Sequence, residues 1–165
     1  PTAYGGFNLS ATWKGLSVGM MFNYSFGNYL YDAPGWVIHG DGRFTPRSTT
    51  TTGFENRWTS AGQESTFPQH RWGGNQSSNT RNSSRYLFDG DFIRLKTINV
   101  RYSFPSTLTS RLKLRSLQVY ADFNNVWTWV KDDNLSFDPE QVISGVYNTV
   151  TPISKTMSFG VNIGL

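Results

Sequence analysis

Side chains that could carry out catalysis or bind a metal ion are few in this sequence, and none has the spacing of a reactive site. The histidines, His39 and His70, have no carboxylate at ligand spacing, and the chain contains no cysteine. The lack of cysteine excludes a disulfide framework and a thiolate metal site. Two acidic clusters, at 89–91 and 132–134, offer oxygen ligands for Ca²⁺ but lack the closing Glu of a calcium-binding loop. We interpret both as solvated turns, so the sequence predicts no metal site, no cofactor and no enzymatic activity.

Residues suited to noncovalent binding are concentrated in the segment 27–90, which is rich in Gly, Ser, Thr, Asn and Arg and contains scattered aromatic residues. Aromatic rings with neighbouring hydrogen-bond donors suit sugar rings or peptides, because they combine an apolar face with polar groups. The candidate ligand-binding residues are Trp58, Arg71, Trp72, Asn75 and Tyr86. The alternative is that these side chains only pack the segment itself.

The elements that must position this segment are β-strands, and the clearest lies in the stretch 91–105. Its second half alternates between apolar and polar residues, the period of a strand with one face of each kind. At a strict period of two, Arg94 and Lys96 fall on the same face as Ile98, so the apolar face covers only part of the strand. A membrane barrel needs such a strand, because its apolar band is only about 25 Å tall. Pro105 ends the strand, because it has no N–H to donate.

Four further segments show the same alternation, which gives five predicted strands at about 6–13, 16–26, 91–104, 115–125 and 156–165. The segment 16–26 carries large apolar side chains on one face and mostly Ser, Gly and Asn on the other, over the ~9–11 residues of a transmembrane strand. This pattern fits lipid outside and a wet lumen inside, and it also fits a strand that covers a soluble core. Trp127 and Trp129 likewise fit either an interfacial aromatic girdle or a packed core.

Length, composition and charge narrow the classes of protein to which the chain could belong. The chain has 165 residues, a length that one domain could account for. Its mean hydropathy is −0.44, and no apolar run approaches the ~18 residues of a spanning helix. The net charge of +4 comes from basic residues spread along the chain, which does not indicate nucleic acid. The opening Pro-Thr-Ala-Tyr has no initiator Met, and we expect a fragment or a processed product.

The connections between the strands alternate strictly in length: a short one at 14–15, a long one at 27–90, a short one at 105–113 and a long one at 127–155. An up-and-down barrel with short periplasmic turns and long extracellular loops produces this alternation. The predicted fold is therefore all-β, with about five antiparallel up-and-down strands of a large transmembrane β-barrel and two long extracellular loops. The alternative is a soluble carbohydrate-binding or adhesin-like β-sandwich.

Four motifs in series resemble the carboxy-terminal end of SusC/RagA-type TonB-dependent outer-membrane transporters. They are Phe92-Ile93-Arg94-Leu95-Lys96, Tyr102-Ser103-Phe104-Pro105, Asn124-Asn125-Val126-Trp127-Thr128-Trp129 and Phe137-Asp138-Pro139-Glu140. In that family a Phe-Leu-Arg-Leu-Lys strand leads to a Tyr-x-Phe-Pro turn, a strand ending in Asn-Leu-Phe-Thr-Trp and a loop with Asp-Pro-Glu. The resemblance covers about 86–165. The sequence departs from the family at Val126-Trp127, where Leu-Phe is usual, and at Leu165, where an aromatic residue is more common.

The resemblance implies an outer-membrane transporter that imports glycans or peptides together with a SusD-like surface lipoprotein. The implied partners are the remainder of the barrel, a plug domain, the TonB complex acting through that plug, outer-membrane lipid, and an oligosaccharide or peptide substrate. No plug domain and no TonB box are expected within this sequence. The five strands would form part of a barrel of roughly 22 strands, and five strands alone would leave open edges that lipid does not tolerate.

Overall fold

A computed structural model describes residues 1–44, 49–74, 83–142 and 144–165. The strands in chain order are β1 (Ala3–Trp13), β2 (Leu16–Phe26), β3 (Tyr29–Asp32), β4 (Leu87–Asp89), β5 (Phe92–Ser103), β6 (Ser116–Val130), β7 (Val146–Tyr147) and β8 (Thr156–Gly164). The helices are α1 (Gly35–Ile38), α2 (Thr51–Glu55) and α3 (Ser106–Arg111), with 3₁₀ turns at Ser84–Tyr86 and Pro139–Gln141. None of the helices in these ranges is long and apolar enough to cross a membrane.

The chain divides into two units, and the larger is a five-stranded antiparallel sheet. Its residues are 1–28, 90–133 and 152–165. The strand order is β1-β2-β5-β6-β8, so each of these strands pairs with the next one along the chain. This is the up-and-down arrangement expected from the alternating connection lengths, and it confirms the predicted fold class.

The register of this sheet separates apolar from polar side chains across all five strands. One row of paired residues is entirely apolar: Leu9, Met20, Ile98, Phe123 and Met157. The adjacent row on the other face is Ser10, Gly19, Asn99, Asp122 and Ser158. Because side chains alternate between faces along every strand, the in-register pairing repeats this division over the length of the sheet.

A β-bulge at Lys96 corrects the predicted faces of β5. Phe22 pairs with Leu95 while Met21 pairs with Thr97, so Lys96 is an extra residue in β5. The extra residue shifts the alternation by one. Leu95 therefore joins the apolar face, and Arg94 lies on the polar face, paired with Asn23. The prediction that Arg94 shares a face with Ile98 is wrong, because a strict period of two does not register a bulge.

A second irregularity in β6 decides the position of the two tryptophans. Leu95 pairs with Trp127 and Thr97 with Asn124, so β6 also contains an extra residue at this level. Asn125 there has a φ of 54°, as bulge residues often do. Trp127 and Trp129 consequently lie on the apolar face near the end of the strand, with 51% and 40% of their surface exposed. They are not core residues of the described structure.

The two short connections of the sheet differ in structure. Lys14 and Gly15 form the β1–β2 turn with φ values of 44° and 86°, the positive pair that a type I′ hairpin requires. The β5–β6 connection contains helix α3 where the sequence indicated a turn only. Pro105 stands directly before this helix in an extended conformation.

The smaller unit, residues 29–89 and 134–151, is built from the two long connections. It contains a three-stranded sheet of order β4-β3-β7, in which β3 is antiparallel to β4 and parallel to β7. Leu30 and Tyr86 are buried, and Phe137 stacks on Tyr147 with ring centroids 4.2 Å apart. No regular structure was predicted for this region, because its short strands carry no extended alternation.

Candidate functional site

The polar face of the five-stranded sheet holds a charged cluster at its centre. Asn99 donates a hydrogen bond of 2.6 Å to Asp122, and the Arg101 guanidinium lies 3.6 Å from the same carboxylate. Asn99 and Asp122 are direct cross-strand partners, and Arg101 follows two residues later on the same face. Opposite charges in neighbouring rows of a sheet stabilise the strand pairing. The cluster is partly exposed and contains no acid–base pair in which a nucleophile is activated.

Hydrogen-bonded rows of neutral side chains flank this cluster. The amide nitrogen of Gln118 donates to Ser103 Oγ at 3.0 Å, and its oxygen accepts from Asn162 at 3.2 Å. Further along, Asn124 donates to Thr156 at 3.0 Å. These cross-strand bonds satisfy polar groups that face water or a polar ligand, as expected for a lumen-type surface.

A close contact between Tyr120 and Gly160 also shapes this face. A Cβ atom added at Gly160 would lie 2.4 Å from the ring and hydroxyl of Tyr120. The ring therefore lies across the glycine of the neighbouring strand, an arrangement in which the aromatic side chain covers the exposed backbone.

The sheet end from which the long connections leave is held together by Asp91. Asp91 is only 7% exposed; its Oδ1 accepts a hydrogen bond from the Gly27 N–H at 2.5 Å, and its Oδ2 lies 3.0 Å from Lys131 Nζ. The Lys131 N–H donates to the Asp91 carbonyl at 3.0 Å. One carboxylate thus joins the ends of β2, β5 and β6. The sequence analysis interpreted Asp91 as part of a solvated turn and missed this role, because its partners are 40 and 64 residues away.

The predicted ligand-binding residues have different environments in the smaller unit. Trp72 is 87% exposed, and its neighbour Arg71 is exposed with its Nε donating to Gln69 at 2.9 Å. Trp58 is half-buried, and among the described residues no hydrogen bond or ring contact joins it to Arg71 or Trp72. Tyr86 is 2% exposed and packs inside the unit. Asn75 lies outside the described residues.

Asp32 and His39 form an electrostatic pair in the smaller unit that the sequence did not indicate. Burial raises the pKa of the Asp32 carboxyl, and the Gly35 N–H and the charge of His39 offset part of that rise. Burial lowers the pKa of His39, and the Asp32 charge opposes this. The His39 Nδ1 lies 3.1 Å from Thr50 Oγ1. A separation of seven positions matches no ligand motif, so sequence spacing held no signal for this pair.

The described part of the chain brings together no group of three or more His, Asp or Glu side chains that could hold a metal ion. What the geometry offers instead is noncovalent: a polar sheet face with paired charges, and an exposed Arg71–Trp72 pair on the smaller unit. Both can donate hydrogen bonds and offer aromatic or amide surface to a ligand.

Comparison with known proteins relates this arrangement to one group. No family model matches the sequence. The chain is similar to three proteins of Formosa agariphila: TonB-dependent receptor P26 (26% identical over 170 residues, 96% of the chain and 16% of the relative), TonB-dependent receptor P3 (24% over 135 residues, 82% and 12%) and TonB-dependent receptor P39 (27% over 141 residues, 82% and 13%). The chain therefore spans less than a fifth of the length of these relatives.

Solved structures show a corresponding similarity in fold. The RagAB peptide transporter matches with a TM-score of 0.78 and 27% identity over 97% of the chain and 17% of its own length. The RagAB peptide importer matches with a TM-score of 0.76 in its 'closed-closed' state and 0.68 in its 'open-open' state. Because these matches cover nearly the whole chain, they include both the five-stranded sheet and the long connections. Over nearly its whole length, the chain is thus similar in sequence and fold to a segment of TonB-dependent receptors and of the RagAB peptide transporter.

Proposed function

We propose that the chain forms part of the wall of a TonB-dependent transporter in the bacterial outer membrane, and that the transporter imports peptides or oligosaccharides. The observation that carries this proposal is the uncovered apolar face of the sheet. On β8 alone, Met157, Phe159, Val161 and Ile163 are between 57% and 71% exposed. A continuous apolar surface of this kind needs lipid or another apolar partner.

The dimensions of the sheet support lipid as that partner. Strand β2 has 11 residues, which corresponds to about 33 Å along the strand at about 3.3 Å per residue. A tilt of about 40° reduces its height to about 25 Å, the height of the apolar band of an outer-membrane barrel. Trp127 and Trp129 then lie towards one boundary of the band, where tryptophan is favoured at the interface.

The two edge strands support a larger assembly. Among the described residues, β1 and β8 each pair on one side only, and an unpaired strand edge in lipid leaves its N–H and C=O groups unsatisfied. The remaining strands of the barrel supply the missing partners in this proposal. A soluble sandwich would instead need a second sheet on the apolar face, and the exposure of that face gives such a sandwich no support.

The rest of the proposed machinery follows from the resemblance to the family and from the names of the relatives. The transporter works with a plug domain, the TonB complex and a SusD-like surface lipoprotein, and it catalyses no chemical reaction. Arg71 and Trp72, with Trp58 and Asn75, are the proposed contacts to the peptide or oligosaccharide. Tyr86 acts indirectly, because its buried ring supports the fold of the unit that carries them.

Neighbouring residues of β8 allow a matched test of the lipid-facing wall. Ser158 and Phe159 point to opposite faces, and the described chain has no cysteine to interfere. In the full-length receptor in outer membranes, a spin label at Phe159→Cys should be accessible to oxygen and shielded from a water-soluble nickel chelate. The label at Ser158→Cys should show the reverse preference, or be shielded from both where protein fills the lumen. Equal access of the chelate to both positions would refute the membrane assignment.

The substrate class is tested separately, by uptake in cells that depend on the full-length receptor. Fluorescent peptides and fluorescent oligosaccharides are compared, with and without a protonophore that removes the energy for TonB-dependent transport. Energy-dependent uptake of one class assigns the substrate. Uptake of neither class, with the receptor present in the outer membrane, would contradict the proposed transport of peptides or oligosaccharides.

A further inference from the structure

Both short connections of the five-stranded sheet contain a lysine in the left-handed backbone conformation. Lys14 has a φ of 44° in the β1–β2 turn, and Lys113 has a φ of 56° in the β5–β6 connection. The Cβ atom raises the energy of this conformation, so Gly, Asn or Asp usually occupies it. A residue kept at such a position against its local preference is a reason to look for a function of its side chain.

The hydrogen bonds of the two connections define which residue each position favours. Lys14 is the first central residue of the type I′ turn, where Asn, Asp and Gly are preferred. At the end of α3, the Leu114 N–H donates to the Thr109 carbonyl at 2.9 Å, and the Lys113 N–H donates to the Ser110 carbonyl at 3.1 Å. These two bonds form a Schellman motif, in which Gly usually stands at the position of Lys113. Backbone conformation alone therefore selects lysine at neither position.

Each of the two lysines adjoins an exposed apolar side chain. Lys14 Nζ lies 4.8 Å from the centroid of the Trp13 ring, a cation–π contact, and Trp13 is 69% exposed. Leu112, which directly precedes Lys113, is 54% exposed. Trp13 pairs with Leu16 on the apolar face of the sheet. The apolar face therefore extends up to the ammonium group of Lys14.

The spacing of the aromatic residues places Trp13 at one boundary of the apolar band. Ile93 pairs with Trp129, and Tyr102 pairs with Leu16, the partner of Trp13. The two positions are about 30 Å apart along β5 at about 3.3 Å per residue. A strand tilt of about 40° reduces this separation to about 23 Å, close to the height of about 25 Å of the apolar band. Trp13 and Trp129 thus lie at opposite boundaries, where tryptophan is favoured.

The charge around the short connections has one sign. The stretches 1–31 and 92–121, which contain both connections, have no Asp or Glu. Arg111 and Arg115 lie on either side of Lys113. Among the described residues, no carboxylate forms an ion pair with Lys14 or Lys113, and both side chains are exposed. Unpaired cations of this kind create a positive potential at this end of the sheet.

An apolar surface that ends in unpaired ammonium groups matches the structure of an anionic phospholipid. A water-soluble anion would gain from the charges but not from the exposed Trp13 and Leu112. A lipid without net charge would gain from the apolar side chains but not from the charges. The stem of a lysine can lie along an apolar surface while its ammonium group reaches the level of the headgroups.

We propose that the short-connection end of the sheet binds anionic phospholipids of the adjoining leaflet through Lys14 and Lys113. The ammonium groups attract the negatively charged headgroups, while Trp13 and Leu112 contact the apolar part of the lipid next to the headgroup. This inference rests on the proposed location of the sheet in a membrane, and it is independent of the transported substrate.

The test uses the full-length receptor, without other cysteines, in phosphatidylcholine vesicles at low ionic strength, since salt screens exposed charges. A fluorescent label at Leu16→Cys, next to Trp13 on the apolar face, is quenched by a trace of doxyl-labelled phosphatidylglycerol or doxyl-labelled phosphatidylcholine. The ratio of the two local association constants gives the lipid preference. We expect a preference for phosphatidylglycerol that falls about fivefold in Lys14→Asn, the factor for one basic side chain near an anionic surface.

Matched variants separate the site from the total charge. Lys14→Arg keeps the charge and should keep the preference. Lys155→Gln removes the same charge from an exposed residue directly before β8, at the opposite end of the sheet, and should leave the preference unchanged. Lys113→Asn is followed in the same way with the label at Ile163→Cys, because the Arg115 N–H donates to the Gly164 carbonyl and brings this connection to the end of β8. We expect a similar loss there.

The possible results distinguish this inference from the proposed function. Equal quenching by the two lipids in the wild type would overturn the lipid site and leave the membrane location intact. Quenching by neither lipid would overturn both. An equal loss of preference in Lys14→Asn and Lys155→Gln would show an effect of total charge without a site. Because Asn suits the left-handed conformation, Lys14→Asn should not lower the thermal midpoint of unfolding; a lowered midpoint would assign Lys14 to the turn and overturn its role in lipid binding.

Discussion

Asp91 offers the most direct test of how the sheet holds its long connections. Replacing Asp91 with Ala removes the acceptor of the Gly27 N–H and the partner of Lys131. A hydrogen bond to a charged group contributes about 1.5–3 kcal/mol. The ion pair adds only about 0.5 kcal/mol, because the Lys131 side chain is 54% exposed and solvent screens the charge. We therefore expect the ends of β2, β5 and β6 to be destabilised by about 2–3 kcal/mol.

Amide hydrogen exchange of the full-length receptor measures this effect locally. A loss of about 2 kcal/mol corresponds to roughly a 30-fold faster exchange of the Gly27 amide, since each 1.4 kcal/mol is tenfold. Asp133→Ala is the matched control, because it removes the same charge from an exposed residue two positions after Lys131. Equal exchange at Gly27 in the two variants would refute the reasoning that one buried carboxylate joins the three strand ends.

Three further predictions concern the sheet and the smaller unit. Gly160→Val should destabilise the sheet by about 1–3 kcal/mol, because the added side chain overpacks against Tyr120. The folded fraction, measured as heat-modifiable mobility on gels, should therefore fall, and Tyr120→Ala in the same chain should restore it. Because the bulge places Leu95 on the apolar face, Leu95→Arg should cost about 2–4 kcal/mol in lipid and lower the receptor level in the outer membrane, whereas Lys96→Ala should not. The lowered pKa of His39 means that the folded unit favours the neutral ring, so its contribution to stability is complete above pH about 6.5 and is lost as the pH falls through the folded pKa. Local opening near His39, measured by hydrogen exchange at the same pH values in both proteins, should therefore increase on acidification in the wild type and increase less in His39→Gln. The raised pKa of Asp32 acts in the opposite sense, because it adds stability as the pH falls towards the ordinary carboxyl range.

The strands of the sheet could be read from the sequence because each is long and alternates regularly. The residues of β2, from Leu16 to Phe26, alternate for 11 positions, and the connection lengths then indicate an up-and-down order. The smaller unit could not be read in the same way. Its strands β3, β4 and β7 have only four, three and two residues, too few to show a period, and their pairing joins segments more than 50 residues apart.

The candidate site was only partly accessible to sequence reasoning. Trp72 and Arg71 are exposed, as a ligand contact requires, whereas Tyr86 is buried, and composition alone does not distinguish the two situations. Asp91 was read as part of a turn because its partners are distant in the sequence. Arg115 was placed at the start of the predicted strand 115–125, and only the tertiary structure shows that it lines a cavity.

The sequence by itself determined the division of the sheet into apolar and polar faces, since this follows from the alternation of side chains along each strand. It also determined the alternation of short and long connections and the resemblance to SusC/RagA-type proteins. The tertiary structure alone decided the bulge at Lys96, the face of Arg94 and the partners of Asp91. The physical reason is that a strand's period is a local property, whereas register, bulges and buried ion pairs depend on which residues of other strands lie opposite.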